Sequence, residues 1–269
     1  MYERKGGEHM ILRDIIAQLR LAAPEELAQE WDNVGLLVGD DTQDIHGIYI
    51  ALDADEAAIA EAKAVGAELL LTHHPLIFSP LKKITGDSFT GARIVALLQS
   101  HMCCYAMHTN FDVSHMGRLA AKRIGLRVER PLADIVTRDG IDYGIGVVGN
   151  LDETCTLRAF GELVKERFGA CSVKLFGEPQ AQIRRAAVCP GSGKGTIGDA
   201  LRAGADVLLT GDIDHHSGID AVAQGLCIID AGHYGLEHIF IGCMEQYLRE
   251  RLDGVAITAQ AHREPYSIV

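Results

Sequence analysis

The chain contains no apolar run close to the roughly 18 residues that a membrane-spanning helix needs, although 48% of its 269 residues are hydrophobic. The opening residues, MYERKGGEHM, are polar and lack the apolar core of a secretory signal. The sequence therefore predicts no membrane partner and no secretion. We expect a cytoplasmic protein with a polar tail over residues 1–10.

Cysteine pairs with metal-binding or redox spacing are also missing. Seven cysteines are present, but none forms a C-x-x-C motif, and only Cys103 and Cys104 are adjacent. An odd, scattered set argues against a disulfide framework and against a zinc ribbon. Buried thiols in a reducing compartment are the expected state of these side chains.

Basic residues are too few for a general nucleic-acid binder. Lysine and arginine number 25 against 37 acidic residues, which gives a formal net charge of −12 at pH 7. Binding to a phosphate backbone needs a basic face that releases counterions. Nucleic acid is therefore not an expected partner, and the acidity is typical of an ordinary soluble protein.

Histidine, by contrast, recurs at the ends of short apolar runs. His73 and His74 follow the run 68–71, and His108 follows the run 104–107. His233 comes shortly after a third run, 227–229. Neutral imidazole is a common ligand of zinc, iron and manganese, so these positions predict a metal site.

Two of these histidines have a carboxylate four residues later. Asp112 follows His108, and Glu237 follows His233. On a helix this spacing places both groups on one face, and a carboxylate can bridge two ions. The repeated pair predicts a site for as many as two metal ions and a metal-assisted reaction.

The order of elements indicates parallel βαβ units. Runs at 68–71 and 103–107 predict buried strands, and Leu157 to Phe168 predicts an amphipathic helix. Residues 66–72 match 204–210, and 48–53 align with 186–191. We therefore predict an α/β protein with two related halves that arise from an internal repeat, and a metal cleft between them.

The predicted domain organisation follows from this repeat. The first half is expected over residues 11–128 and the second over 129–250. Residues 251–269 are expected to return to the first half. In open parallel sheets functional groups collect beyond the carboxyl ends of the strands, where all three histidine clusters are expected.

Two further motifs leave alternatives open. The stretch 212–216 (DIDHH) is a second metal cluster, an acid–base group or a solvated turn, and His216 is our choice for proton transfer. The loop 191–198 (GSGKGTIG) satisfies G-x-G-x-x-G but lacks the expected downstream carboxylate. A tight turn or an anion-cradling loop is favoured there over a dinucleotide site.

The motifs together resemble a known family, the type-two GTP cyclohydrolase I homologues, also called the NGG-interacting-factor-like proteins. The resemblance covers residues 11–262 and suggests the short form of the family. It is carried, in chain order, by Trp31-Asp32-Asn33-Val34-Gly35, Thr72-His73-His74-Pro75, His108-Thr109-Asn110-Phe111-Asp112, Gly191-Ser192-Gly193, Thr210-Gly211-Asp212 and Gly232-His233 with Glu237. Asp214-His215 departs from the Lys-Tyr pair more usual in the family.

The resemblance implies two similar three-layer α/β/α halves, a ring-shaped homohexamer, and a dinuclear metal centre in the cleft between the halves. Carried over by motif, the ligands are His73, His74, Asp112, His233 and Glu237. Asp112 and Glu237 are the implied bridges between the two ions. His108 is either a ligand or a residue that supports one.

The predicted function is a metal-dependent hydrolase of a nucleotide-like or phosphorylated small molecule, with two divalent ions per subunit. Zinc, iron and manganese all suit the ligand set. A non-catalytic metal-binding protein, an oligomeric interaction scaffold and a nucleotide-binding module that uses the loop 191–198 are the alternatives.

Overall fold

The computed structural model describes residues 9–269, so most of the predicted polar tail, residues 1–8, lies outside the described residues. The chain has the predicted α/β architecture. Its strands are β1 (Met10–Ile11), β2 (Gly35–Val38), β3 (Asp44–Ile45), β4 (Gly47–Ala51), β5 (Leu69–Thr72), β6 (Cys103–Ala106), β7 (Arg127–Arg138), β8 (Ile141–Thr156), β9 (Lys174–Phe176), β10 (Gln182–Ser192), β11 (Val207–Gly211), β12 (Cys227–Asp230) and β13 (Ala256–Ala259).

The helices alternate with these strands along much of the chain. They are α1 (Leu12–Ala22), α2 (Glu56–Ala64), α3 (Phe89–Gln99), α4 (Thr109–Phe111), α5 (Gly117–Arg123), α6 (Leu157–Phe168), α7 (Ile197–Arg202), α8 (His215–Ala223), α9 (His233–Glu237) and α10 (Ile239–Arg249). Short 3₁₀ turns cover Glu25–Leu27 and Gly193–Thr196, and a π-helical turn covers Asp112–Met116. Over residues 9–269 no helix combines the length and the apolar character that crossing a membrane requires.

The chain divides into two compact units. Unit 1 consists of the chain up to Phe111 together with Phe240–His262, and unit 2 of Asp112–Ile239 together with Arg263–Val269. These bounds differ from the predicted halves, 11–128 and 129–250. The difference arises because the π-helical turn and α5 pack on β8, within unit 2.

Unit 1 is built around a five-stranded sheet in the order β13-β4-β5-β6-β2. The first four strands are parallel, and β2 runs antiparallel to β6. β4, β5 and β6 are buried throughout, as expected for parallel strands covered on both faces. Parallel pairing sets Thr72 beside Ala106, so the chain leaves β5 and β6 at neighbouring points of the same edge.

Helices α2 and α3 cover one face of this sheet. Ala58 and Ile59 of α2 and Leu97 of α3 belong to one buried apolar cluster with Tyr49 and Leu70 of the sheet. Asp55 begins α2 by accepting a hydrogen bond from the backbone amide of Ala58 at 2.7 Å. This packing holds the carboxyl ends of the strands in place.

Unit 2 is built around a six-stranded sheet in the order β7-β8-β10-β11-β12-β9. β10, β11 and β12 are parallel, and the remaining neighbours are antiparallel. β11 is entered from Gly204, at φ 66°, just as β5 of unit 1 is entered from Gly66, at φ 71°. The internal repeat as a whole stays a prediction.

Candidate metal-binding site

Unit 1 brings three histidine side chains together at the carboxyl edge of its sheet. His73 and His74 directly follow β5, and His108 comes two residues after β6. One ring nitrogen from each of the three lies within 4.8 Å of the others. His73 is fully buried, and the other two are half-buried. The expected gathering of imidazoles at neighbouring strand ends is therefore present within this unit.

Each of the three imidazoles has its Nδ1 atom hydrogen-bonded to an oxygen. The acceptors are the carbonyl of Met107 for His73 at 2.7 Å, Asp53 Oδ1 for His74 at 2.8 Å, and Asp32 Oδ1 for His108 at 2.8 Å. An oxygen acceptor selects the tautomer with the proton on Nδ1, which leaves the lone pair of a neutral ring on Nε2. Metal-binding histidines are usually held in this way.

Asp32 is the most strongly engaged of these acceptors. Its buried carboxylate accepts hydrogen bonds from His108, from the backbone amide of Thr109 at 3.0 Å and from the Thr109 hydroxyl at 2.5 Å. Burial alone would raise the pKa of Asp32, but these hydrogen bonds outweigh it and lower the pKa to about 2. Asp32 therefore stays ionised and fixes the His108 ring.

Unit 2 contains the second set of predicted ligands. His233 is the first residue of α9, and Glu237 lies one turn later, so their side chains share a helix face as predicted. His233 Nε2 lies 2.9 Å from Glu237 Oε2, and His233 Nδ1 lies 2.8 Å from Asp212 Oδ2. Glu237 is only 3% exposed.

Two carboxylates flank one imidazole in this set, and they change its acidity. Burial would lower the pKa of His233, but the hydrogen bonds and charges of Glu237 and Asp212 raise it to about 9. Without a metal, the ring thus carries a proton between two acids. A divalent cation can take the place of that proton, so the donor set fits such an ion.

Gly191 makes room for this pair. It has φ +74°, and a Cβ atom there would lie 2.1 Å from Glu237 Oε1. A side chain at this position would therefore displace the carboxylate. The first glycine of the loop 191–198 has a local structural role beside Glu237. The next residues form a 3₁₀ turn, in which the Gly193 amide donates to the Thr210 hydroxyl at 2.9 Å.

Asp112 begins the π-helical turn and is half-buried. π-Helical turns are rare and occur often at functional sites. Cys189, in the same unit, is affected by Asp112 and Glu237 together: burial first, and then the two negative charges, raise the pKa of its thiol to about 12. The charges of Asp112 and Glu237, the two carboxylates predicted to bridge the ions, thus both reach the buried Cys189 thiol.

Comparison with known proteins identifies the family of this chain. The family profile of Duf34/NIF3 (NGG1p interacting factor 3) matches residues 10–265. The chain belongs to the Duf34/NIF3 family. Related proteins named GTP cyclohydrolase 1 type 2 homolog include one from Clostridium perfringens, 34% identical over 268 residues, covering 97% of this chain and all of the relative.

A second relative with that name, from Lactococcus lactis, is 35% identical and covers 92% of this chain and 95% of its own length. Among solved structures, a Bacillus cereus protein related to NIF3 superimposes with a TM-score of 0.91 at 26% identity, over 97% of this chain and all of that chain. The fold is therefore shared along nearly the whole length of this chain.

His216, predicted to transfer protons, is exposed on the first turn of α8 in this Duf34/NIF3 member. Its ring contacts that of His215, with centroids 5.2 Å apart. The preceding Asp214 begins the helix by accepting from the Ser217 amide at 3.0 Å, and it pairs with Lys194 at 2.6 Å. The roles of His216 and of the predicted ligands stay predictions.

Sequence reasoning did not assign the hydrogen-bond acceptors of the histidines in this Duf34/NIF3 member, although Asp212 lies in the stretch 212–216 that it singled out. Asp53 and Asp212 each come within two residues of a strand end, and Asp32 lies in the loop before β2. An acid just beyond a buried strand was the available signal for Asp53 and Asp212. Nothing local indicated which histidine each acid would support.

Proposed function

We propose that this Duf34/NIF3 member is a metal-dependent hydrolase of a nucleotide-like or phosphorylated small molecule. It holds two divalent ions per subunit, and the ions are zinc, iron or manganese. The proposed ligands are His73, His74, Asp112, His233 and Glu237. The observation that carries the proposal is the Nδ1 hydrogen bond of each imidazole, His108 included, to an oxygen acceptor.

In such a site the Nδ1 hydrogen bonds fix the orientation of the imidazole rings. Acidic partners hold three of the rings in one orientation, whereas His73 is held by a neutral carbonyl. When bound, a divalent cation supplies the Lewis acidity that turns water into a nucleophile near neutral pH. The polypeptide supplies the orientation of the donors.

Proton transfer falls to histidines in this proposal. The ionised Asp32 holds the His108 ring at Nδ1, so Nε2 is the atom at which His108 can accept a proton if it is not itself a ligand. His216 is exposed and therefore able to exchange protons with solvent. Both assignments are part of the proposal.

The test is metal content per chain by elemental analysis, after reconstitution with zinc, iron(II) or manganese. We expect two equivalents in the native chain. His73→Ala with His74→Ala removes donors of unit 1, and His233→Ala with Glu237→Ala removes donors of unit 2. If the two sets serve one dinuclear centre, as the sequence predicts, each double variant loses most of both ions.

The control is His216→Ala, which should keep both ions and lose turnover. Loss of one ion in each double variant would mean two separate sites. No metal in the native chain after reconstitution would overturn the proposal. A fully loaded protein that hydrolyses no nucleotide or phosphate ester would instead be the non-catalytic metal-binding protein.

Two broader proposals accompany this one: a ring-shaped homohexamer, which the family resemblance implies, and a cytoplasmic location, which the scattered cysteines favour. Light scattering of the purified chain tests the first, since the hexamer has six times the 29.1 kDa mass of the chain. A hexamer that persists after chelation would show that the ions are not needed for assembly.

A further inference from the structure

Two large aromatic side chains of unit 1 are exposed close to the histidine cluster. Trp31 is 59% exposed and Phe78 is 55% exposed. Their ring centroids lie 5.8 Å apart, with the rings tilted by 50°. Trp31 also meets the His108 ring edge-on, with centroids 6.2 Å apart. Aromatic surface is therefore offered to a ligand next to one of the imidazoles.

Both rings are held by the residues beside them. Asp32, next to Trp31, accepts the Nδ1 hydrogen bond of His108. Asn33 donates from Nδ2 to the carbonyl of Ile77 at 2.6 Å, and Ile77 directly precedes Phe78. One loop is thus anchored to the histidine cluster and to the loop that carries the second ring. We call Trp31 and Phe78 the aromatic platform.

A cleft of about 350 Å³ lies next to the aromatic platform. Its wall includes Phe78, His74 and Asp53, and it continues to Phe89 and Arg93. The cleft thus connects the aromatic platform with one of the candidate ligands. A volume of this size suits a ring system of one or two fused rings.

The charges of the cleft favour an uncharged ring over a phosphate. Among the described residues that line it, Asp53 and Arg93 are the formally charged ones. The Arg93 guanidinium donates two hydrogen bonds to the Glu56 carboxylate, from Nε at 2.9 Å and from Nη2 at 2.7 Å, and it lies over the Phe89 ring. Its charge is compensated, so the cleft offers a phosphate no uncompensated cation.

We propose that the aromatic platform is a stacking subsite for the uncharged planar heteroaromatic ring of the substrate, such as a nucleobase. This inference rests on the proposed function and narrows its substrate class to molecules with such a ring. Stacking tolerates any base with a π-face, and it orients the ring edge toward the imidazoles.

The chain contains a single tryptophan, which makes the test direct. The fluorescence of Trp31 is recorded while the full-length protein is titrated with adenosine and with guanosine, with correction for absorbance. Ribose 5-phosphate and inorganic phosphate are the comparison ligands. We expect saturable quenching by the two nucleosides only. The same titration after chelation should give a similar affinity, because stacking does not involve the ions.

Variants locate the subsite. Phe78→Ala should weaken nucleoside binding by at least about fivefold. Phe78→Leu should weaken it as much, because leucine keeps the apolar bulk but has no ring on which a base can stack. Phe78→Tyr should restore binding to within about twofold of the native value. Leu21→Ala removes a side chain that is 73% exposed on α1, and it should have no effect.

Equal quenching by ribose 5-phosphate, or native affinity in Phe78→Leu, would overturn the proposal. Trp31 fluorescence that does not change with nucleosides but changes on protein dilution would also overturn it. That result would mean that the aromatic platform is a contact between two copies of this chain. Because binding is read without turnover and without metal, these outcomes are independent of the metal-content test.

Discussion

At the scale of single residues, the orientation of the imidazoles depends on the aspartates that accept their Nδ1 hydrogen bonds. Asp212 supports His233 from a left-handed backbone conformation, with φ 56°. Few residue types other than glycine adopt this conformation, and aspartate and asparagine are among them. Asp212→Asn therefore removes the charge while keeping the backbone and an acceptor oxygen.

We expect Asp212→Asn to weaken metal binding by about 10- to 100-fold, because a neutral acceptor makes the ring a poorer donor. Competition with a chelating dye measures the affinity, and urea unfolding checks the fold. Asp214→Asn is the matched control, since asparagine also caps helices and Asp214 pairs with Lys194 instead of a histidine. Equal affinities in the two variants would refute the supporting role.

The lowered pKa of Asp32 predicts how the stability of the protein changes at acid pH. Its pKa in the folded protein is about 2, below the ordinary value of 3.8. A lowered pKa means that the carboxylate stabilises the fold fully above about pH 4, and that this contribution is lost as the pH falls toward about 2. For the chelated protein, the difference in free energy of unfolding between native and Asp32→Asn should therefore shrink over this range.

Urea unfolding at a series of pH values measures that difference. The shift corresponds to about 2 kcal/mol at neutral pH. Asp220→Asn, on the exposed surface of α8, serves as the control. A difference that stays constant down to about pH 2 would show that Asp32 does not titrate as described.

At the scale of elements, the end of β10 and the short helix α9 depend on each other. α9 follows Gly232, at φ 77°, and its single turn places His233 and Glu237 side by side. Gly191, the last residue but one of β10, lies beside Glu237 at a position where a Cβ atom has no room. Neither element alone would hold the carboxylate against the imidazole.

Gly191→Ala should therefore lower the stability and the metal content more than a glycine substitution without a steric clash does. Gly204→Ala is the matched control, because Gly204 has a similar φ of +66° but open space around its Cβ position. The control should cost about 1–2 kcal/mol of stability through backbone strain alone and keep its metal. Gly191→Ala should cost more and lose metal, as urea unfolding and elemental analysis would show. Equal effects of both would contradict the close approach.

At the scale of the whole molecule, local patterns were well predicted from the sequence. α6 spans Leu157–Phe168, as its apolar periodicity predicted, because such a pattern needs only neighbouring turns. β7 was missed. The residues of β7 after Ala133 are exposed. A strand at a sheet edge need not alternate between apolar and polar residues, so the sequence carried no strand pattern there.

The candidate site divides in the same way. The histidines were found because each follows a buried strand, which is a local signal. Their acceptors were not, since Asp32 is 76 residues from His108 and Asp53 is 21 residues from His74. The bounds of the two units could not be predicted either, because they depend on how the π-helical turn and α5 pack on β8.

The pairing of β13 with β4 has a consequence for synthesis of the protein. β13 forms the edge of the unit 1 sheet, and its register sets Ala256 opposite Gly47. At a translation rate of roughly 5–20 residues per second, β4 waits roughly 10–40 s on the ribosome for its neighbour. During that time the edge of β4 that β13 later covers is open to pairing with strands of other chains.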